Sequence, residues 1–314
     1  MRSWLLTIDI EDYFQVSGFE EVIPRSSWGT FEGRVEQNTL RMLDILVRHD
    51  AHATFFVLGW IAKKYPNLIK RIHAAGHEIA CHSFDHRLVY RCTPEEFKED
   101  TRRAKHLMEA LIGERVLGYR APSFSITRKS LWALDVLAEM GFAYDSSIFP
   151  ILRDRYGIPG APRFVYRITT DSFLAPGGMS HEILEIPPAT LRLLGVTLPL
   201  GGGGYFRLFP ERAFRWGFER ILFKEERPPL LYLHPWEIAP EQPVIRNGSR
   251  LSRFRQYVNL HKTEGRLRRL LARAPSVSIQ AALAHLANHA EARTVGDLKA
   301  ARPSIRPAQN GRDR

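Results

Sequence analysis

Cysteine is nearly absent: Cys81 and Cys92 are the only two in 314 residues. Two thiols cannot build a disulfide framework, and their spacing is not that of a zinc ribbon, so a reduced location is permitted. Long hydrophobic runs are missing too. No segment approaches the roughly 20 apolar residues of a membrane-spanning helix. The N-terminus, MRSWLLTIDIED, has one early arginine and an apolar stretch cut by Asp9, so it lacks the core of a secretory signal. The expectation is a cytoplasmic protein, with the inner membrane face open to it. Acidic residues are the scarcer charge, 34 against 45 Lys and Arg, for a net charge of +11. Such an excess favours an acidic partner: nucleic acid, a membrane surface or an anionic glycan. Basic runs such as Arg266, Arg268 and Arg269 lack the interleaved aromatics that stacked bases require, so no nucleic acid is expected.

What is present is enough apolar residue, 44%, for one main core. Short apolar runs alternate with helical patterns up to about Gly141, the sign of an α/β fold with βα units around a parallel sheet or barrel. Strands are predicted at Trp4–Ile10, Ala53–Leu58, His77–His82, Val116–Tyr119, Phe142–Asp145 and Leu230–His234. A helix should start at Thr93-Pro94-Glu95-Glu96 with a capping box and run to about Ile112. Another should follow Thr127 and stop at Gly141. Further helices are predicted near Pro210–Lys224 and Phe254–Leu271. Between them, seven prolines from Pro150 to Pro199 and the Gly201–Gly204 run predict long loops, a covering hairpin and no regular element interior at the glycines. Residues 1–287 are read as one domain with a C-terminal extension from about 200, and 288–314 as a disordered basic tail. No internal repeat is visible.

Four strand ends carry chemistry. His82 and His86 lie four apart, on one face if the turn is helical, a spacing that lets two imidazoles reach one ion. Taken alone the pair is a weak signal. Asp9, Glu11 and Asp12 gather at the end of the first strand, and Asp9 sits between Ile8 and Ile10, where a carboxylate needs compensation. Arg120, in the segment GYRAPSF, can pair with a carboxylate and hold it ionised; by itself this could be an ordinary structural ion pair. His234 closes an apolar strand, where a lone histidine is more often a core residue than a catalyst. In a parallel barrel all such ends face one rim.

These four segments, in this order, resemble the polysaccharide deacetylase family of carbohydrate esterases. HSFDH is similar to its metal-binding H-[ST]-x-x-H, and RAPSF to its R-x-P motif. GGGGYFRLFP, YLHPWE and FRQYVNLHKTEGRL resemble the branch associated with exopolysaccharide and exosortase clusters. The resemblance implies a distorted (β/α) barrel with fewer than eight parallel strands and one divalent metal, usually Zn2+. It further implies Asp9 as general base, Arg120 as its orienting partner, His82 and His86 as metal ligands, His234 as general acid, and a backbone N–H near Ser123 for the oxyanion. Its third ligand is a carboxylate adjacent to the base, whereas here Ile10 intervenes. Alternation favours Glu11, a strand that has already turned favours Asp12, and Asp12 is the slight preference. No acid-Trp motif that could pair with His234 stands out between residues 150 and 230.

The implied activity is removal of N-acetyl groups from a sugar or polysaccharide, anionic or lipid-linked forms included, with exopolysaccharide biosynthesis as the setting. Two other classes compete: a small-molecule amidohydrolase on the same scaffold, and a noncatalytic glycan-binding protein. An open groove lined by aromatics such as Tyr13, Phe14, Trp28, Phe124 and Tyr205 would favour a polymer over a small amide.

Overall fold

In a computed structural model, residues 3–153, 156–170 and 181–302 are described. Among the described residues twelve strands follow one another: β1 (Trp4–Ile10), β2 (Thr54–Val57), β3 (Glu78–Cys81), β4 (Gly118–Tyr119), β5 (Tyr144–Asp145), β6 (Tyr166–Thr170), β7 (His181–Glu185), β8 (Thr190–Leu193), β9 (Val196–Pro199), β10 (Leu230–Leu233), β11 (Ser276–Val277) and β12 (Glu291–Thr294). The main sheet runs β10-β1-β2-β3-β4-β5-β7-β6-β12, with β11 beside β1. From β10 to β7 every neighbour is parallel; β6 runs antiparallel to β7. Among the described residues the two ends of the sheet do not pair, so the barrel stays open.

The strands are short, apolar and buried on both faces, as parallel strands under helices must be. Their register sets the site. One rung crosses Ile10, Val57, Cys81, Tyr119, Asp145 and Glu185, so Glu11, His82, Arg120 and Ser146 each sit one residue beyond it. At that level the ladder has ended, and side chains turn to one another instead.

The capping box forms as expected, with Glu96 N–H donating to Thr93 Oγ1 and Thr93 N–H to Glu96, and the helix spans Pro94–Ile112. The helix after Thr127 is Trp132–Glu139, and Gly141 is left-handed beyond it. The irregular middle holds the expected hairpin, β8 paired with β9; Pro176 and its neighbours, residues 171–180, lie outside the described residues.

Three expectations need correction. Gly203 and Gly204 open a short helix, Gly203–Leu208, instead of lying in a loop. The helix predicted over Phe254–Leu271 is two, Arg250–Tyr257 and Leu260–Leu271, because Asn259 takes a left-handed conformation between them. The chain after residue 288, expected as a disordered tail, forms β12 on the edge of the sheet and a helix, Val295–Ala300, closed by a Thr294–Asp297 capping box. Backbone pairing to β6 and burial of Leu298 anchor this stretch despite its polar composition. Residues 303–314 lie outside the described residues.

Candidate active site

β1 delivers both acids that matter, because residues two apart on a strand share a face. Asp9 Oδ1 accepts from Arg120 Nη1 at 2.6 Å, and both side chains are buried. Four of the five guanidinium N–H donors are used: Nη1 also reaches Thr7 Oγ1 at 2.7 Å, Nε the Ser146 carbonyl at 3.1 Å, and Nη2 Ser146 Oγ at 2.8 Å, while the Phe56 ring packs 4.1 Å from its centre. An arginine fixed at this many points cannot swing away, so it holds Asp9 in one orientation.

Glu11 faces the histidines. Its Oε1 lies 2.9 Å from His82 Nε2 and 2.9 Å from His86 Nε2. Burial works to raise the Glu11 carboxyl, but the His86 charge and the bonds from both rings hold it well below the usual range. His82 Nδ1 sits 2.7 Å from the Arg120 carbonyl. Donation to that carbonyl fixes a proton on Nδ1, so a cation that replaced the proton between Nε2 and Glu11 would meet a lone pair on each. Two imidazole nitrogens and one carboxylate oxygen, all buried, thus converge within 4.8 Å. Three electron-pair donors in one dry spot fit a divalent cation such as Zn2+.

Asp12, the slight preference for the third ligand, is elsewhere. Its carboxylate accepts from the backbone N–H groups of Arg34 at 2.7 Å, Val35 at 3.0 Å and Tyr13 at 2.9 Å, at the start of helix Val35–Val47. Strand alternation holds through residue 11, so Glu11 takes the inward position and Asp12 the outward one.

The His82/His86 pair also reaches its place by a route other than helical spacing. Residues 82–88 are loop, and Ser83 (φ 63°) and His86 (φ 53°) are left-handed, which folds the chain back so both rings point the same way. Ser83 Oγ accepts from His86 N–H at 3.0 Å, and Asp100 accepts from Phe84 N–H at 2.7 Å and Asp85 N–H at 3.2 Å. Non-glycine residues in this region cost about 1 to 3 kcal/mol each and persist where surroundings over-determine them. Ser123 (φ 52°) and Phe124 (φ 54°) repeat the device at the turn after Arg120.

His234 stands at the end of β10, its Nδ1 2.8 Å from Glu237 Oε1. Burial disfavours its charged form, but the Glu237 bond, reinforced by the charges of Glu11, Glu237 and Asp9, pushes its pKa up to about 9. Glu237 in turn accepts from Arg207 Nε at 2.7 Å, and Arg207 ties down the carbonyls of Arg255, Gln256 and Val258 at 2.9 to 3.0 Å. A Cβ on Gly203 would overlap the Glu237 carboxylate, so glycine there is what lets the acid approach.

Glu237 was missed because a partner acid was sought between residues 150 and 230; the signal lay three residues after His234, in HPWE. Arg207 had no local signal. Asp145 and Glu185, on the same rung beneath the site, were missed as well. Burial raises both, Asp145 to about 6 and Glu185 well above its usual range, where the Asp145 charge adds to the effect. Asp145 holds Ser147, whose Oγ accepts from Ala121 N–H at 2.8 Å, next to Arg120. Of the aromatics proposed as a sugar platform, Tyr13, Phe14, Trp28 and Phe124 are buried, and Tyr205 lines the cleft beside His234. That cleft, about 550 Å³, opens beside His234, Tyr232 and Ser123.

Comparison with known proteins places this geometry. A family profile described as Polysaccharide deacetylase matches residues 20–144, and one described as a domain of unknown function (DUF3473) matches residues 146–284. A chitooligosaccharide deacetylase of Bradyrhizobium is 31% identical over 156 residues, covering 49% of this chain and 67% of that protein. A peptidoglycan-N-acetylglucosamine deacetylase of Bacillus cereus is 33% identical over 98 residues, 31% of this chain and 36% of the relative. The chain thus spans two thirds of the first relative and about a third of the second. A crystal structure from Mycobacterium smegmatis that carries a polysaccharide deacetylase designation superposes with a TM-score of 0.61, over 93% of this chain and 92% of the other, at 17% identity. That last likeness is one of fold.

Proposed function

This chain belongs to the polysaccharide deacetylase family, and we propose that it is a metal-dependent hydrolase that removes N-acetyl groups from a polysaccharide or oligosaccharide. The observation that carries this reading is the meeting, on one rim, of an arginine-held carboxylate, an N,N,O donor triad and a carboxylate-held imidazole. Glu11, His82 and His86 would hold the cation, Zn2+ first among candidates, and Lewis acidity toward the acetamido carbonyl is the chemistry it would supply.

The chain's own groups do the rest. Asp9 accepts the proton of the attacking water as the new carbon–oxygen bond forms. The backbone N–H of Ser123 donates to the oxyanion that develops on the carbonyl oxygen. His234, protonated at neutral pH, gives its proton to the sugar nitrogen as the carbon–nitrogen bond breaks, so acetate and a free amine leave. An amine expelled without that proton would simply return to amide.

An open cleft bordered by exposed Leu251 and Phe254 favours a glycan over the small cyclic amide of the competing reading, which would need a closed pocket. The segments GGGGYFRLFP and YLHPWE support exopolysaccharide biosynthesis as the setting. The test is acetate release from a panel of N-acetylated glycans by protein stripped of metal and then restored with zinc or cobalt. Metal-dependent acetate that disappears in Asp9→Asn establishes the reading; no acetate from any glycan, with metal bound, removes it.

A further inference from the structure

Building on the deacetylase reading, we infer that the cleft beside His234 contains an oxyanion subsite, in which Arg255 receives a carboxylate or phosphate carried by a sugar next to the N-acetylated one. The cleft is lined from both halves of the molecule. Ser123, Tyr232 and His234 form the catalytic end, and helix Arg250–Tyr257 supplies the far wall with Leu251, Phe254 and Arg255.

Charge is distributed unevenly along it. The acidic residue of its lining, Glu237, is buried and already bonded to Arg207 and His234. The lip is positive. Arg255 is exposed and makes no ion pair among the described residues. Arg153 and Tyr156 line the same cleft as Arg255, and Arg153 Nε donates to Tyr205 Oη at 3.0 Å. A guanidinium fork matches carboxylate and phosphate geometry, and its bonds to either anion are charge-assisted.

The wall is held in place, not draped. Arg207 donates to the Arg255 carbonyl at 3.0 Å and to Glu237 at 2.7 Å, so the backbone that positions Arg255 is bonded through one buried side chain to the partner of His234. Beside it, Leu251 and Phe254 are 55% and 54% exposed. An apolar face next to a cation suits a pyranose ring bearing an anionic substituent, with the ring's C–H face on Phe254.

The experiment compares kcat/KM, on metal-loaded full-length protein, for a partly N-acetylated oligosaccharide whose neighbouring sugar is a uronate with that for the same oligosaccharide after methyl esterification. The acid form should be preferred by about tenfold or more, with the difference in KM, and Arg255→Gln should bring the ratio close to one. Lys262→Gln, exposed and outside the cleft, should leave the ratio as it is. Equal turnover of acid and ester forms, unchanged in Arg255→Gln, overturns the subsite and leaves the deacetylase reading standing. If neither form is turned over, the deacetylase reading fails, and calorimetric binding of the acid and ester forms to the wild type and Arg255→Gln still decides the subsite. A sugar diphosphate, added as competitor, separates the two oxyanion sources: Arg255-dependent competition by it, with none by the uronate, assigns the subsite to phosphate.

Discussion

Residues 4–145 and residues 146–302 bring functional groups to the same rim by different means. In the first half, Asp9, Glu11, His82 and Arg120 are placed by register: parallel strands end on one rung, and the next residue of each points at its neighbours. In the second half the placement is by a relay of bonds between residues far apart in sequence and by a close approach, where the first half adds the single buried pair Asp9–Arg120. His234 is oriented by Glu237, Glu237 by Arg207, and the approach of Glu237 by the missing side chain of Gly203. Register tolerates changes in flanking sequence; a chain of buried charges does not. The first half should therefore fail locally when altered, and the second should fail as a unit.

The sharpest break between the two halves comes from their central residues. His82→Ala or Glu11→Ala should abolish bound metal, read by elemental analysis, and take acetate release to background; a full zinc load in either would refute the donor set. His234→Ala should lower kcat by about a hundredfold to ten-thousandfold while metal content stays at wild-type level. Loss of metal in that variant would mean that the halves are not separable.

Glu237→Gln comes next. Because His234 carries a pKa raised to about 9, its acid form persists through neutral pH and is lost as pH rises past that value. The alkaline limb of kcat/KM should lie near pH 9 and move to lower pH in Glu237→Gln; an unmoved limb would detach Glu237 from the acid. Gly203→Ala should act on the same chain through crowding, costing about 1 to 3 kcal/mol of stability in thermal unfolding and lowering kcat together with it. The mildest change is Asp12→Ala. It removes the acceptor of two N–H groups at the start of a helix, so unfolding should be easier by about 1 kcal/mol with metal content unchanged. Metal loss in Asp12→Ala would reverse the choice of Glu11.

Much of the first half was legible in the sequence for a physical reason. Buried parallel strands read as unbroken apolar runs, and a charged residue at the end of such a run has few explanations. The preference for Asp12 over Glu11 rests on a strand that has already turned by residue 12, whereas Glu11 keeps the side that alternation gives it. The second half was less legible because its organising contacts are long-range: Arg207 and Glu237 are thirty residues apart, and Arg207 meets Gln256 forty-nine residues on. No periodicity marks such pairs. The tail misled by composition, since a polar edge strand gains its order from backbone bonds to β6 and not from side-chain burial. The aromatics misled in the opposite direction, Trp28 and Phe14 being core and Phe254 the exposed ring.

The left-handed serines at the rim carry a consequence for engineering. Ser83 and Ser123 hold backbone angles that glycine adopts freely, so relieving that tension by glycine substitution should slacken the two loops that aim His86 and the Ser123 N–H. A search for tougher variants that selects on heat resistance alone would drift toward such relaxed rims and accumulate robust, sluggish proteins. Screening for acetate release in the same round would keep the tension that aims the site.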